Sequence, residues 1–113
     1  MANIKTVGPP IHTAVSVAAS GDNTVVAAVS GKQILVTAYT LLAAGAVDIQ
    51  WWSAAAGTAL SGLMSLDQFG GMAPAFGDAL FETAAGEALI LNLSAAIQVS
   101  GHITYHEVTP AAA

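Results

Sequence analysis

The fold of this chain is decided by one stretch, Phe81-Glu82-Thr83-Ala84-Ala85-Gly86-Glu87-Ala88-Leu89-Ile90-Leu91-Asn92-Leu93-Ser94. The segment Ala84-Ala85-Gly86 is typical of a tight turn, because glycine adopts a positive φ without steric cost. After the turn the residues alternate, with Leu89, Leu91 and Leu93 on one face of a strand. Three leucines on one side require a core, and the partly apolar opposite side indicates a second partner. The stretch therefore predicts a central strand of an antiparallel sandwich, near a subunit interface.

Further strands are predicted upstream of this stretch. Residues 46–54 alternate most clearly, with Trp51 on the apolar side and Trp52 on the polar side. Between the predicted strands 24–30 and 33–44, Gly31-Lys32 has the length of a two-residue hairpin loop. In the longer strand, an unbroken alternation places Ile34, Val36, Ala38, Thr40 and Leu42 on one face and Leu35, Thr37, Tyr39 and Leu41 on the other.

The apolar pattern has a period near two along the whole chain, and turn signals recur about every ten residues. We therefore expect an all-β fold, an antiparallel β-sandwich or jelly-roll-like barrel of about seven to nine strands. Gly8-Pro9-Pro10 cannot continue a helix or a central strand. We expect an extended N-terminal arm at residues 1–11, a single β domain at residues 12–109 and a frayed tail at residues 110–113.

The chain is poor in charge. Of its 113 residues, 8% are charged and 55% are hydrophobic, whereas an ordinary soluble domain carries about 25% charged residues. Because surfaces are where charges normally lie, we expect other protein subunits to cover much of this surface. A membrane is the other candidate cover, but the uncharged runs at residues 33–47 and 88–105 are too short or too polar for a spanning helix of about 20 apolar residues. The composition therefore predicts a stable homo-oligomer.

The sign of the charge and the absence of cysteine exclude further classes. The net charge is −5, and Lys5 and Lys32 are the only basic residues. A nucleic-acid-binding protein needs a basic surface to neutralise phosphates, so that class is excluded. Without cysteine, neither disulfides nor cysteine-based metal sites can form. The segment Met1–Lys5 is not followed by the apolar run of a signal peptide.

No catalytic, cofactor-binding or metal site is expected. His102 and His106 are separated by about 13 Å along a strand, too far for one ion. Edge or interface histidines are the favoured interpretation, and a symmetric ring of one histidine around an oligomer axis stays open. Asp78, Glu82 and Glu87 flank the tight turn, where solvated carboxylates are favoured over acid–base chemistry or Ca²⁺ binding. The sequence also lacks a phosphate loop and a nucleophile elbow, so we expect no enzymatic activity.

Four residues are expected at a subunit interface. Trp51 and Trp52 face opposite sides of their strand, so Trp51 is assigned to the core and Trp52 to the surface. Tryptophan is enriched at binding hot spots, and a subunit contact is favoured over stacking on a sugar. The complete set of interface candidates is Trp52, Tyr39, Ile90 and Tyr105.

Several segments resemble small structural proteins of tailed bacteriophages. They are residues 81–89, 91–96 and 99–105, together with the upstream segment 19–24. The resemblance extends over residues 17–108 and leaves out the arm and the tail. It implies a virion component of the head decoration (cement) type, and it offers no catalytic residues. Such proteins commonly form trimers on the outside of the capsid shell, and jelly-roll or β-barrel trimers are one known form.

The resemblance also implies partners and a location. The partners are further copies of the chain, as a homotrimer, and the major capsid protein. The protein is made in the host cytoplasm and is located on the capsid surface of the virion. An extended arm can add a strand to a neighbouring sheet, and the expected capsid-contact residues are Asn3, Ile4, Lys5, Val7, Pro9, Pro10 and Ile11. The alternative is a tail, collar or fibre module that binds a host glycan or another virion protein through an exposed aromatic residue such as Trp52, Phe69 or Phe76.

Overall fold

The chain folds as an all-β protein. A computed structural model describes residues 6–75 and 80–110, and within these ranges it contains no helix. The strands are β1 (Thr6–Val7), β2 (Ile11–Val17), β3 (Gly21–Val26), β4 (Gln33–Ala43), β5 (Val47–Ser53), β6 (Thr58–Ala59), β7 (Met64–Leu66), β8 (Gly71–Met72), β9 (Phe81–Glu82), β10 (Leu89–Leu93) and β11 (Val99–Thr109). The all-β prediction is confirmed. More strands occur than the seven to nine predicted, because β1 and β6–β9 are only two or three residues long and such segments carry no alternating pattern.

Two antiparallel sheets form a sandwich, and one of them curls like a half-barrel. Sheet A has the order β1-β11-β4-β8, with β2 also on β11 and β9 also on β4. Sheet B has the order β3-β10-β5-β6, with β7 also on β5. The first and last of the long strands along the chain, β2 and β11, pair in sheet A. The second and the second-to-last, β3 and β10, pair in sheet B. This nested order is typical of jelly rolls.

Strand β10 occupies the central position that its sequence predicts. It pairs with β3 on one side and with β5 on the other. Leu89, Leu91 and Leu93 are buried between the sheets, and Trp51 lies opposite Leu91 in the neighbouring strand. The assignment of Trp51 to the core is therefore confirmed. The core cluster also contains Val15, Val26, Ile34, Val36, Tyr39, Leu41, Ala43, Val47, Ile49, Val99, Ile103 and Tyr105.

A β-bulge in β4 reverses the faces that the sequence predicts for its second half. Ala38 lies opposite Thr104 and Val36 lies opposite Tyr105, so Thr37 is the extra residue. Because of this insertion, the buried residues are Val36 before the bulge but Tyr39 after it. The prediction of one unbroken alternation through this strand is therefore wrong beyond Thr37.

The predicted hairpin at Gly31-Lys32 is also wrong. Strand β3 pairs with β10 in sheet B, whereas β4 pairs with β11 in sheet A. The connection between Val26 and Gln33 therefore crosses from one sheet to the other. Gly31 has a φ of 72°, and the Lys32 N–H donates to the Val29 carbonyl at 3.0 Å. The local turn exists as expected, but a turn signal does not determine which sheet the next strand joins.

The described part of the predicted arm lies along the edge of sheet A. Val7 pairs with Val108 of β11, and the Gly8 N–H donates to the Glu107 carbonyl at 2.9 Å. Ile11 begins β2. The predicted capsid-contact residues Asn3, Ile4 and Lys5, and the tail residues 111–113, lie outside the described residues.

An aromatic cluster fills the core between β4, β5 and β9. The rings of Tyr39 and Trp51 meet edge to face with centroids 5.2 Å apart, and Phe81 lies 5.6 Å from Trp51. The Tyr39 hydroxyl donates to Sδ of Met72 at 3.4 Å. Burial raises the pKa of this hydroxyl above its ordinary value of 10.0, and the neighbouring Trp51 opposes the rise in part.

The fold is expected to lose stability at alkaline pH, partly through Tyr39. Because the folded pKa is raised, the unfolded chain ionises first, so the stability that the neutral hydroxyl contributes is complete below pH 10.0 and is lost as the pH rises through the folded pKa. Urea unfolding on either side of pH 10.0 measures this loss, which Tyr39→Phe should reduce. Burial and then Glu107 raise the pKa of Tyr105 as well, so Tyr105→Phe is the companion variant. An identical pH dependence in wild type and Tyr39→Phe would contradict the expectation.

Candidate interaction surface

The outer face of sheet A is free of carboxylates, lysine and arginine along its three long strands. None of these residue types occurs within residues 11–17, 33–43 or 99–106, and Glu107, the one carboxylate of β11, lies opposite the buried Ile34 and therefore on the inner side of the sheet. Its outward positions alternate with buried residues such as Val15 and Ile103. In contrast, Asp22 and Asp48 alternate with inward residues on β3 and β5 of sheet B. We call the outer side of β2, β4 and β11 the sheet A face.

An exposed phenylalanine stands at one end of the sheet A face. Phe69 lies in the connection between β7 and β8, and 74% of its surface is exposed. Its N–H donates to the Ala43 carbonyl at 2.8 Å, and the Ala43 N–H donates to the Gly70 carbonyl at 2.8 Å. The Gly70 N–H closes a turn onto the Asp67 carbonyl, also at 2.8 Å. The two bonds with Ala43 fix the backbone of Phe69 against β4, and the third closes the turn, while the ring faces solvent.

The backbone of Phe69 is strained. Its φ is 60°, a left-handed conformation that bulky side chains rarely adopt. In a turn with a positive φ at the third position, that position normally holds glycine or asparagine. Such strain costs about 1–3 kcal/mol and concentrates at functional sites. A strained, exposed aromatic ring on a fixed backbone is therefore the strongest sign of an interaction site in the described residues.

Glycine at this position is expected to make the fold more stable than alanine does. Both Phe69→Gly and Phe69→Ala remove the ring, but only glycine relieves the strain at a φ of 60°. We expect the free energy of unfolding of Phe69→Gly to exceed that of Phe69→Ala by about 1 kcal/mol. Urea denaturation of the two variants measures the difference. Equal stability, or a more stable alanine variant, would show that the backbone at residue 69 is not strained.

A shallow hollow of about 190 Å³ adjoins Phe69 on the sheet A face. Leu42, which is 53% exposed, and Ala44 supply apolar surface to it. Gln98 forms the polar rim, and its Nε2 donates to the hydroxyls of Ser16 at 3.0 Å and Ser100 at 2.9 Å. An apolar patch with a neutral polar rim is suited to a protein contact.

The carboxylates that flank the tight turn do form part of a cleft. Glu82 and Glu87 both line a space of about 280 Å³ between the sheets. The hydroxyl of buried Ser53 donates to Glu87 Oε1 at 2.6 Å and accepts the Ala84 N–H at 3.0 Å. This network joins the turn to β5, which gives Glu87 a structural role. Asp78 lies outside the described residues.

All three histidines lie on β2 and β11. Nδ1 of His12 is 2.8 Å from the hydroxyl of Thr104, Nδ1–H of His106 donates to the Gly8 carbonyl at 2.8 Å, and His102 is exposed. Within residues 6–75 and 80–110, no group of three histidine or carboxylate side chains could hold a metal ion. The same ranges contain no helix long and apolar enough to span a membrane.

The predicted interface residues differ in how much surface they retain. Tyr39 and Tyr105 belong to the core, and Ile90 is only 2% exposed, so these three have little area to offer a second subunit. Trp52 lies opposite Ile90 and is half-buried. Their role in a subunit contact stays a prediction. The structure adds Leu42, which the sequence placed on the same face as Ile34 and Val36 because the bulge at Thr37 has no sequence signal.

Comparison of the chain with protein-family models, with curated proteins and with solved structures finds no match.

Proposed function

We propose that this chain is a non-enzymatic decoration protein of a tailed-phage head, which binds the outer surface of the capsid as an oligomer and stabilises the shell. The observation that supports it best is the sheet A face, whose outward positions on β2, β4 and β11 carry no carboxylate, lysine or arginine and which ends at the exposed ring of Phe69. The jelly-roll-like strand order agrees with the form that the resemblance implies. Its partners are the major capsid protein and other copies of the chain, with a trimer as the predicted assembly.

The physics of such a role fits this surface. Burying the Phe69 ring and Leu42 against an apolar site on the shell removes area from water that is already exposed in the free protein. Because the backbone of Phe69 is fixed by hydrogen bonds, little conformational freedom is lost on binding. Each contact is small, so an oligomer that binds through several copies gains affinity by avidity. Many bound oligomers would then hold adjacent capsid subunits together.

Co-sedimentation with phage heads that lack the protein tests this function. The wild-type protein should saturate the heads, and Phe69→Ala should weaken binding by tenfold or more, as expected for a hot-spot residue. Leu63→Ala is the matched control, because Leu63 is also an exposed apolar residue, at 61%, but lies in the β6–β7 connection. No binding of the wild type, or an equal effect of both variants, would contradict the proposal.

The polar side chains beside Phe69 support a second candidate function. Aromatic rings beside polar side chains also bind sugars, and Phe69 stands next to Gln98 and Ser100. A tail, collar or fibre module that binds a host glycan would use the same ring. If this alternative holds, the wild-type protein should bind to a glycan array, Phe69→Ala should abolish that binding, and the protein should be absent from isolated heads.

A further inference from the structure

The two sheets have edges that differ in their protection against pairing with another chain. The short strands β6–β9 cover one side of the sandwich. On the other side, β3 carries Asp22 and a register shift against β10. β1 has only two residues and is followed by Pro9-Pro10. Charge, irregular pairing, proline and shortness are devices that prevent edge-to-edge association.

Strand β2 has none of these devices. It is seven residues long, it contains no charged residue or proline, and it pairs with β11 in unbroken register from Val17 to Ile11. Among the described residues, β11 is its only pairing partner. Its outward side chains His12, Ala14 and Ser16 are exposed, and no strand within residues 6–75 and 80–110 covers its second edge.

The hydrogen bonds of β11 show which backbone groups of β2 are free. The Ala44 N–H donates to the Gln98 carbonyl on the β4 side, and the Gly8 N–H donates to the Glu107 carbonyl on the β1 side. Bonded and non-bonded pairs alternate in antiparallel sheets, so odd-numbered residues of β11 bond towards β2. Their partners in β2 are Ile11, Thr13, Val15 and Val17. His12, Ala14 and Ser16 therefore direct their N–H and carbonyl groups away from the sheet.

We propose that two copies of this chain pair through their β2 strands, antiparallel and with Ala14 opposite Ala14 of the second copy. The free groups of His12, Ala14 and Ser16 would then form about six backbone hydrogen bonds across a two-fold axis. The two A sheets would become one continuous sheet.

The side chains of β2 are self-complementary in this register. On the outward side, His12 meets Ser16 of the second copy, and the small Ala14 side chains meet at the axis. No like charges oppose each other, since β2 contains no carboxylate, lysine or arginine. On the inward side, the half-buried Ile11 and Val17 face each other across the axis and extend the core. All four inward residues are β-branched, which favours strand pairing.

The biological role of this contact, as part of a larger assembly on the capsid, rests on the proposed function. A two-fold contact is distinct from the predicted trimer contact, and the two together would give six chains. The test uses the isolated protein, so a failure to bind heads and a failure to pair through β2 are separate results.

Light scattering after size exclusion tests the pairing with Ala14→Pro and Ala14→Ser. Proline removes the N–H that the folded chain does not use, and proline is tolerated at such edge positions, whereas serine retains the N–H. We expect the wild type and Ala14→Ser to have the mass of two or six chains, and Ala14→Pro to have half that mass.

Ala14→Asp gives a second route to the same result. It leaves the backbone intact but places two carboxylates directly opposite each other at the axis, which is destabilising. It should halve the mass as Ala14→Pro does. A wild-type mass of one or three chains, or an unchanged mass in Ala14→Asp with an unchanged circular dichroism spectrum, would overturn the pairing.

Discussion

Among glycine-to-alanine substitutions in the described residues, Gly101→Ala is expected to destabilise this protein most. Gly101 lies in β11, between β2 and β4. A Cβ at this position would lie 1.7 Å from the carbonyl oxygen of Thr40, well inside van der Waals contact. Because that oxygen belongs to the backbone of β4 in sheet A, it cannot move without disturbing the pairing of β4 with β11. We expect Gly101→Ala to lower the free energy of unfolding by about 3 kcal/mol, measured by urea denaturation.

Gly62→Ala is the matched control for this substitution. Gly62 is exposed, and nothing lies within 4 Å of the position that its Cβ would take. We expect a change in the free energy of unfolding within about 0.5 kcal/mol. Equal stability of the two variants would contradict the close approach of β11 and β4 at Gly101.

The second large effect is expected for Trp51→Ala. Trp51 is fully buried, packs against Tyr39 and Phe81 and pairs with Leu91 of the central strand. Removing a fully buried tryptophan costs about 3–5 kcal/mol, a large part of the roughly 5–15 kcal/mol that stabilises a typical domain. Chemical denaturation followed by circular dichroism should show a variant that is unfolded or marginally stable.

The neighbouring tryptophan provides the control. Trp52 lies on the opposite face of β5 and is half-buried, so its burial contributes less apolar area. Trp52→Ala should therefore lower the free energy of unfolding by clearly less than Trp51→Ala. An equal or larger loss for Trp52→Ala would mean that the outer side of sheet B, and not the space between the sheets, is the main core.

The central part of the fold could be predicted from the sequence because its pattern is local. The three leucines of β10 and the alternation around Trp51 each specify a face without reference to distant residues. They correctly give a sandwich with β10 at its centre. The face reversal at Thr37 could not be predicted, because a bulge depends on pairing with Thr104 and Tyr105, far away in the sequence.

The candidate interaction surface could be predicted only in part. The low charge of the chain indicated a covered surface, and the uncharged sheet A face agrees with that composition. Its location depends on how β2, β4 and β11 are brought together, which is a tertiary property. The strain at Phe69 depends on hydrogen bonds to Ala43, and a lone Phe-Gly pair in a loop carries no such information.

The central claim is that the protein covers the head of a tailed phage, and its copy number in purified virions tests this most directly. Quantitative mass spectrometry would compare peptides of this chain with peptides of the major capsid protein. The account predicts a ratio near one copy per capsid subunit, which is hundreds of copies per particle. A few to a few dozen copies would place the protein in the tail, collar or fibres, and its absence from virions would contradict the account altogether.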